Sequence, residues 1–145
     1  MFQDQGPEPG VAPEQKEAAT ATRIAAVRAL NTAYADATCA GDCAAWLACW
    51  SDDGTWHSPF GAFTGHDALR GQWARLWSRI AGMTFAAEVI EVAFDGDRAT
   101  ARVRCDEMVR LKDGSMQRYA AQYDDAMLRS IDGWKFTRRV YTLLA

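Results

Sequence analysis

Tyr34-Ala-Asp-Ala-Thr-Cys-Ala-Gly-Asp42-Cys-Ala-Ala-Trp-Leu-Ala-Cys-Trp50-Ser-Asp-Asp-Gly-Thr-Trp56-His-Ser-Pro-Phe-Gly61 is the stretch that decides the fold. Gly41 ends a helix, and Asp42 is placed to cap the next, over Cys43 to Trp50. Ser51-Asp52-Asp53-Gly54 reads as a turn, and Thr55 to Ser58 as a short strand stopped by Pro59. With the long strands that follow, this pattern predicts a cone-shaped, curved antiparallel sheet whose concave face is covered by helices. Such a cone encloses a pocket, which points to a small-molecule site.

Upstream of that stretch, Ile24, Val27, Asn31, Tyr34 and Thr38 recur at spacings of three and four. They form one face of a helix from about Glu14 to Ala40, and that face turns the Tyr34 phenol inward. Downstream, a third helix opens near Gly65, with Asp67 at its positive end. Leu69, Trp73, Leu76, Trp77 and Ile80 are its apolar stripe, and Gly82 closes it. Beyond Gly82 the chain alternates in long strands, Phe85 to Asp95, Arg98 to Lys112, Met116 to Arg129 and Trp134 to Leu143. Short turns at Gly96-Asp97, Asp113-Gly114-Ser115 and Ile131-Asp132-Gly133 join them. Three N-terminal helices followed by an antiparallel meander make an α+β layout. Residues 1–13, rich in Gln, Pro, Gly and Glu, are expected to be a disordered tail, and 14–145 a single domain.

The chain has 145 residues, 49% of them hydrophobic, enough to bury one substantial core. A formal net charge of −3 gives no basic footprint, so nucleic acid is not an expected partner. No apolar run is long enough to span a bilayer and no signal peptide is recognisable, so a cytoplasmic protein without membrane attachment is expected. Cys39, Cys43, Cys49 and Cys105 lack metal-type spacing and read as free, mostly buried thiols. The histidines, His57 and His66, have no carboxylate or Cys cluster beside them, so no metal is expected. No phosphate-cradling or dinucleotide motif is present, so no cofactor is expected either.

Alternation also sorts the chemistry. On the strand from Arg98, Ala99, Ala101, Val103, Cys105, Glu107, Val109 and Leu111 share the apolar parity. Glu107 is thus a carboxylate on an apolar face. It either sits at a wet rim or pairs with an arginine of the last strand such as Arg138, or it is a pocket acid or base with a raised pKa. On the next strand neither parity is purely apolar, so a bulge or subunit contact is plausible, and pattern alone leaves Asp124 and Asp125 equal candidates for the inward position. Trp50, Trp56, Phe60, Phe63, Trp73 and Trp77 are expected to wall the pocket, with Ser58 and Cys105 completing its lining. A ligand pocket of about 300–1,000 Å³ is the usual size.

At Tyr34, Ala40-Gly41-Asp42, Ala48, Asp52-Asp53, Thr55, Pro59 and Gly61, and again at Gly65, Ala68 and Arg70, the chain resembles ketosteroid isomerases. These belong to the SnoaL-like, or nuclear transport factor 2-like, superfamily, which also holds scytalone dehydratases, limonene epoxide hydrolases and polyketide cyclases. The resemblance covers roughly Ile24 to Leu143. It implies an oxyanion-donor tyrosine at Tyr34, a second, protonated donor at or near Asp124, and Ser58 where the isomerases carry their catalytic base. In the dehydratase branch, Cys39 or Asp42 takes the place of the helix Asp, and Met83-Thr84-Phe85 offers no His. A cofactor-independent isomerase, lyase or cyclase acting on a small apolar molecule is the implied function, with Tyr34, Asp124 and Glu107 catalytic. The alternative is a ligand-binding or assembly domain that has lost the base. A homodimer through the outer sheet face is expected, with Tyr119, Tyr123 and Met127 in the contact.

Overall fold

Pro13 opens the first helix, α1 (Pro13–Ala40), in the computed structural model of the chain, which describes residues 12–144. Proline suits a first helical position because its missing N–H would have no helical partner there. Val27, Leu30, Asn31, Tyr34, Ala37 and Thr38 are the buried face of α1, as its spacing requires. Gly41 ends it at φ 67°, a left-handed conformation, and a Cβ there would stand 3.3 Å from the Trp77 ring. The Asp42 side chain then accepts the Ala45 N–H at 3.0 Å and starts α2 (Cys43–Leu47). The expected tail lies outside the described residues as far as residue 11, while Ala12 caps α1 and Pro13 belongs to it.

After α2 come β1 (Trp50–Ser58), β2 (Gly61–Thr64), α3 (His66–Trp77), β3 (Ile80–Asp95), β4 (Arg98–Leu111), β5 (Met116–Ser130) and β6 (Gly133–Leu143). The six strands form one sheet in the order β2-β1-β6-β5-β4-β3. Ser51 to Gly54, read as a turn, lie within β1, and Ile80 to Gly82, read as the end of the third helix, open β3. The sheet also corrects the sequence expectation. The sheet is mixed, because β1 pairs with β6 in parallel, and it is open, with β2 and β3 as free edges, so no cone is closed. Nor do the helices form an N-terminal block. Only α1 leads the chain; the five-residue α2 links it to β1, and α3 is inserted between β2 and β3.

Helices and sheet pack as two layers around one core of Val27, Trp46, Trp50, Leu69, Val103 and Phe136, among others. The parity of β4 is as its alternation requires: Ala99, Ala101, Val103 and Cys105 are buried and Thr100, Arg102 and Arg104 exposed. On β5 the inward set is Ala121, Tyr123, Asp125 and Met127. Along β6 the pairing steps from Phe136 opposite Met127 to Arg138 opposite Ala126, leaving Thr137 as an extra residue. This bulge turns Trp134, Phe136, Arg139 and then Tyr141 toward the helices, and Arg138 away.

Candidate functional site

Between the helices and the inner face of the sheet lies a cavity of about 490 Å³. Its floor is buried: Tyr34 and Thr38 from α1, Trp46 from α2, Phe85 from β3 and Tyr123 from β5. Trp56, Trp73 and Trp77 make one wall, with Trp46 and Trp73 rings 4.8 Å apart and Trp73 and Trp77 5.4 Å apart. The opposite wall is the β4 row Glu107, Val109 and Leu111, facing Met83 and Phe85. Exposed Phe60, Arg79, Gln117 and Leu143 surround the mouth.

Glu107 is the acid of this apolar space. Burial pushes its carboxyl up to about 7, and the adjacent Tyr141 hydroxyl offsets part of that. Its Oε2 is buried with no hydrogen-bond partner. Small Ala121 on β5 lies between the two strands, leaving room for Glu107 on β4 and Tyr141 on β6 to approach across it. Tyr123 links Tyr141, whose ring it meets edge-on at 5.4 Å, to Tyr34, whose hydroxyl is 3.4 Å from its own. Burial raises the pKa of all three phenols, so they are hydrogen-bond donors across the neutral range. The Trp56 Nε1–H is a second buried polar group without a partner.

Beneath this floor is a buried ion pair. Arg139 donates from Nε to Asp125 Oδ1 at 2.8 Å and from Nη2 to Asp125 Oδ2 at 3.0 Å, and from Nη2 to Asn31 Oδ1 at 3.0 Å. Its guanidinium stacks against Tyr123, Phe136 and Tyr34, with centroids at 3.9, 4.0 and 4.5 Å. Burial opposes the Arg139 charge, but Asp125 together with Tyr34 and Tyr123 more than offsets it and the pKa is raised. Burial also pushes Asp125 up, against the pull of Arg139. Neither residue lines the cavity, so the pair supports its floor and does not enter it.

The structure brings Tyr34, Glu107, Trp56, Phe60, Trp73 and Trp77 together around the cavity. Trp50 and Cys105 are buried in the core beside it; burial pushes the Cys105 thiol up to about 12. Phe63 packs behind Trp56 at 6.5 Å and carries Arg75 over its ring. Ser58 closes its own turn, donating to the Gly61 carbonyl and accepting the Phe60 N–H, both at 3.1 Å. Asp124 faces the other side of the sheet and pairs with Arg102 at 3.3 Å, because Asp125 holds the inward parity. Tyr119 and Tyr123 line the cavity and Met127 is in the core, so the residues expected at a subunit contact face inward. Arg138 takes no part, since the bulge points Arg139 inward instead. Sequence reasoning missed Tyr123, Tyr141 and Arg139 as elements of the site. The alternation of β5 held a signal for Tyr123, whereas the bulge hid Tyr141 and Arg139.

A second hollow, of about 590 Å³, lies across the sheet over Glu91, Arg102, Asp124 and Arg138. Its charges largely satisfy one another, Arg102 reaching Glu91 at 3.6 Å as well as Asp124, so the apolar cavity is the stronger site. Among the described residues no group of three or more His, Cys, Asp or Glu is placed to hold a metal.

A model of the SnoaL-like domain matches residues 27–137. The chain belongs to the SnoaL-like family. No curated protein matches it. Among solved structures, this SnoaL-like domain is similar to a ketosteroid isomerase-like protein from Erwinia carotovora atroseptica. That likeness has 25% identity and a TM-score of 0.76, and covers 85% of this chain and 97% of that one. A candidate scytalone dehydratase from Novosphingobium aromaticivorans is 19% identical with a TM-score of 0.80, covering 87% of each chain. Hexachlorocyclohexane dehydrochlorinase LinA-type3 from Novosphingobium barchaimii is 16% identical, with a TM-score of 0.79, over 89% of this chain and 91% of its own. The last two show the shared fold alone.

Proposed function

We propose that this SnoaL-like domain binds a small, largely apolar molecule and acts on it as a cofactor-independent acid/base isomerase, lyase or cyclase. The reading is carried by Glu107, a carboxyl on the wall of an apolar cavity whose Oε2 has no hydrogen-bond partner and which burial pushes up to about 7. A group that is half ionised near pH 7 can both take and return a proton there. In the ionised form Glu107 would remove a proton from a carbon beside a carbonyl, and the freed electron pair would move to the carbonyl oxygen. Tyr34 is the donor for that oxygen: its phenol stays protonated, and its 3.4 Å contact with Tyr123 is long enough to be exchanged for a ligand. Returning the proton elsewhere isomerises the substrate; expelling a neighbouring leaving group makes a lyase.

A screen for turnover against steroids, terpenoids and polyketide-like phenols tests the proposal. With a substrate in hand, Glu107→Gln should abolish turnover and Tyr34→Phe should lower kcat by about 10²–10³. Full activity in either variant rejects the corresponding role. A non-catalytic binding domain is the second reading, favoured by Ser58, whose hydroxyl is engaged in its own turn where the isomerases carry their base. It predicts affinity that survives Glu107→Gln and no turnover. None of the described helices is long and apolar enough to cross a membrane, and the four cysteines are free, which supports a reducing, cytoplasmic location.

A further inference from the structure

The cavity carries charge at two levels only. Among the described residues that line it, Glu107 and Arg79 alone are charged. Arg79 stands two residues past the end of α3, with its backbone N–H on the Leu76 carbonyl at 3.1 Å, and it is exposed at the mouth. Arg70, Arg102, Arg118, Arg129 and Arg139 all pair with carboxylates, but Arg79 has no ion-pair partner among the described residues. Arg23, Arg28, Arg75, Arg98, Arg104, Arg110 and Arg138 likewise have no ion-pair partner among the described residues, and none of them lines this cavity.

The sheet sets the spacing between the two charges. Ile80, the neighbour of Arg79, stands opposite Leu111, and Phe85 stands opposite Glu107. Leu111 and Glu107 lie four residues apart on one face of β4, a rise of roughly 13 Å. Between them the lining is apolar: Val109 on β4, Met83 on β3, and the rings of Trp73 and Trp77 across the gap. One end of this track therefore offers a carboxyl to a reacting group, and the other an uncommitted guanidinium at the solvent boundary. A neutral hydrocarbon would leave that guanidinium unused, whereas a carboxylate can take two of its donors in parallel.

We propose that the ligand of this cavity is an amphipathic acid, with an apolar ring-bearing body along the track, its reacting end at Glu107 and a terminal carboxylate on Arg79. The inference rests on the apolar-cavity reading above and adds the anionic end. Arg79 also stands just past a helix C-terminus, where any cation favours the helix. That role would appear in thermal stability, but not in a preference between a charged ligand and its neutral twin.

Biphenyl-4-carboxylate and biphenyl-4-carboxamide are matched probes, titrated calorimetrically into the full chain at pH 6 and low salt. The carboxylate should bind at least about tenfold tighter than the amide, and 0.5 M NaCl should shrink the ratio. Arg79→Gln, checked for folding by circular dichroism, should bring the two probes within about twofold of each other by weakening the acid alone. Equal affinities in the wild type, or a preference that survives Arg79→Gln, overturn the anionic end and leave the apolar cavity standing. Absence of binding by both probes overturns the cavity reading and the inference with it.

Discussion

Glu107 makes stability and chemistry depend on the same proton. Its folded-state pKa, about 7, lies above the ordinary carboxyl value of 4.5, so the folded protein holds the proton more tightly than the unfolded chain. Stability from this residue is therefore fully present below pH 4.5, declines as pH rises through that window, and is lost above about 7. A shift of this size corresponds to about 3 kcal/mol. Glu107→Gln should be nearly as stable as wild type at pH 4 and more stable, by up to about 3 kcal/mol, at pH 8, measured by urea unfolding. The tryptophans divide in a similar way. Trp50, buried in the core and not part of the cavity lining, should cost about 3–5 kcal/mol when replaced by alanine. Trp77, half-buried and lining the cavity, should cost less and should weaken probe binding instead.

Elements were legible in proportion to their alternation. β4 was readable residue by residue, including Glu107 as the exception on its inner face, because its parity runs unbroken from Ala99 to Leu111. β6 was not, because Thr137 resets the parity midway and a bulge leaves no local signature in composition. That is why Arg138 was the visible partner candidate and Arg139 the real buried charge. β2 escaped for another reason: its four residues, Gly61 to Thr64, become a strand only by pairing with β1. The β5–β6 pairing can be tested through its buried ions. Asp125→Ala strands the Arg139 charge and should cost about 3–5 kcal/mol in thermal or urea unfolding. Replacing both partners together, as Asp125→Leu with Arg139→Met, should recover most of that loss.

At the scale of the whole molecule, the α+β class and the presence of a cavity followed from helices preceding long alternating strands. The open, mixed sheet did not follow, because pairing β1 in parallel with β6 is a contact between the two ends of the domain. Nothing local in either strand announces it. The two faces of the sheet differ sharply, one sealed under helices and the other bearing Glu91, Arg102, Arg104, Asp106, Arg118 and Asp124. The tyrosines face inward, so a homodimer through that outer face would have to be held by alternating charge. Sedimentation should then show a dimer at low salt that Arg102→Glu converts to monomer, and a monomer under both conditions rejects the contact. The free side of β3 has its own guard. Cys39 of α1 accepts the Phe85 N–H at 3.2 Å and donates its thiol to the Phe85 carbonyl at 3.5 Å, occupying backbone groups that another strand would seek. Alkylating that sulfur would strip the Phe85 N–H and carbonyl of their partner and leave that point of the rim open to a strand from a second copy.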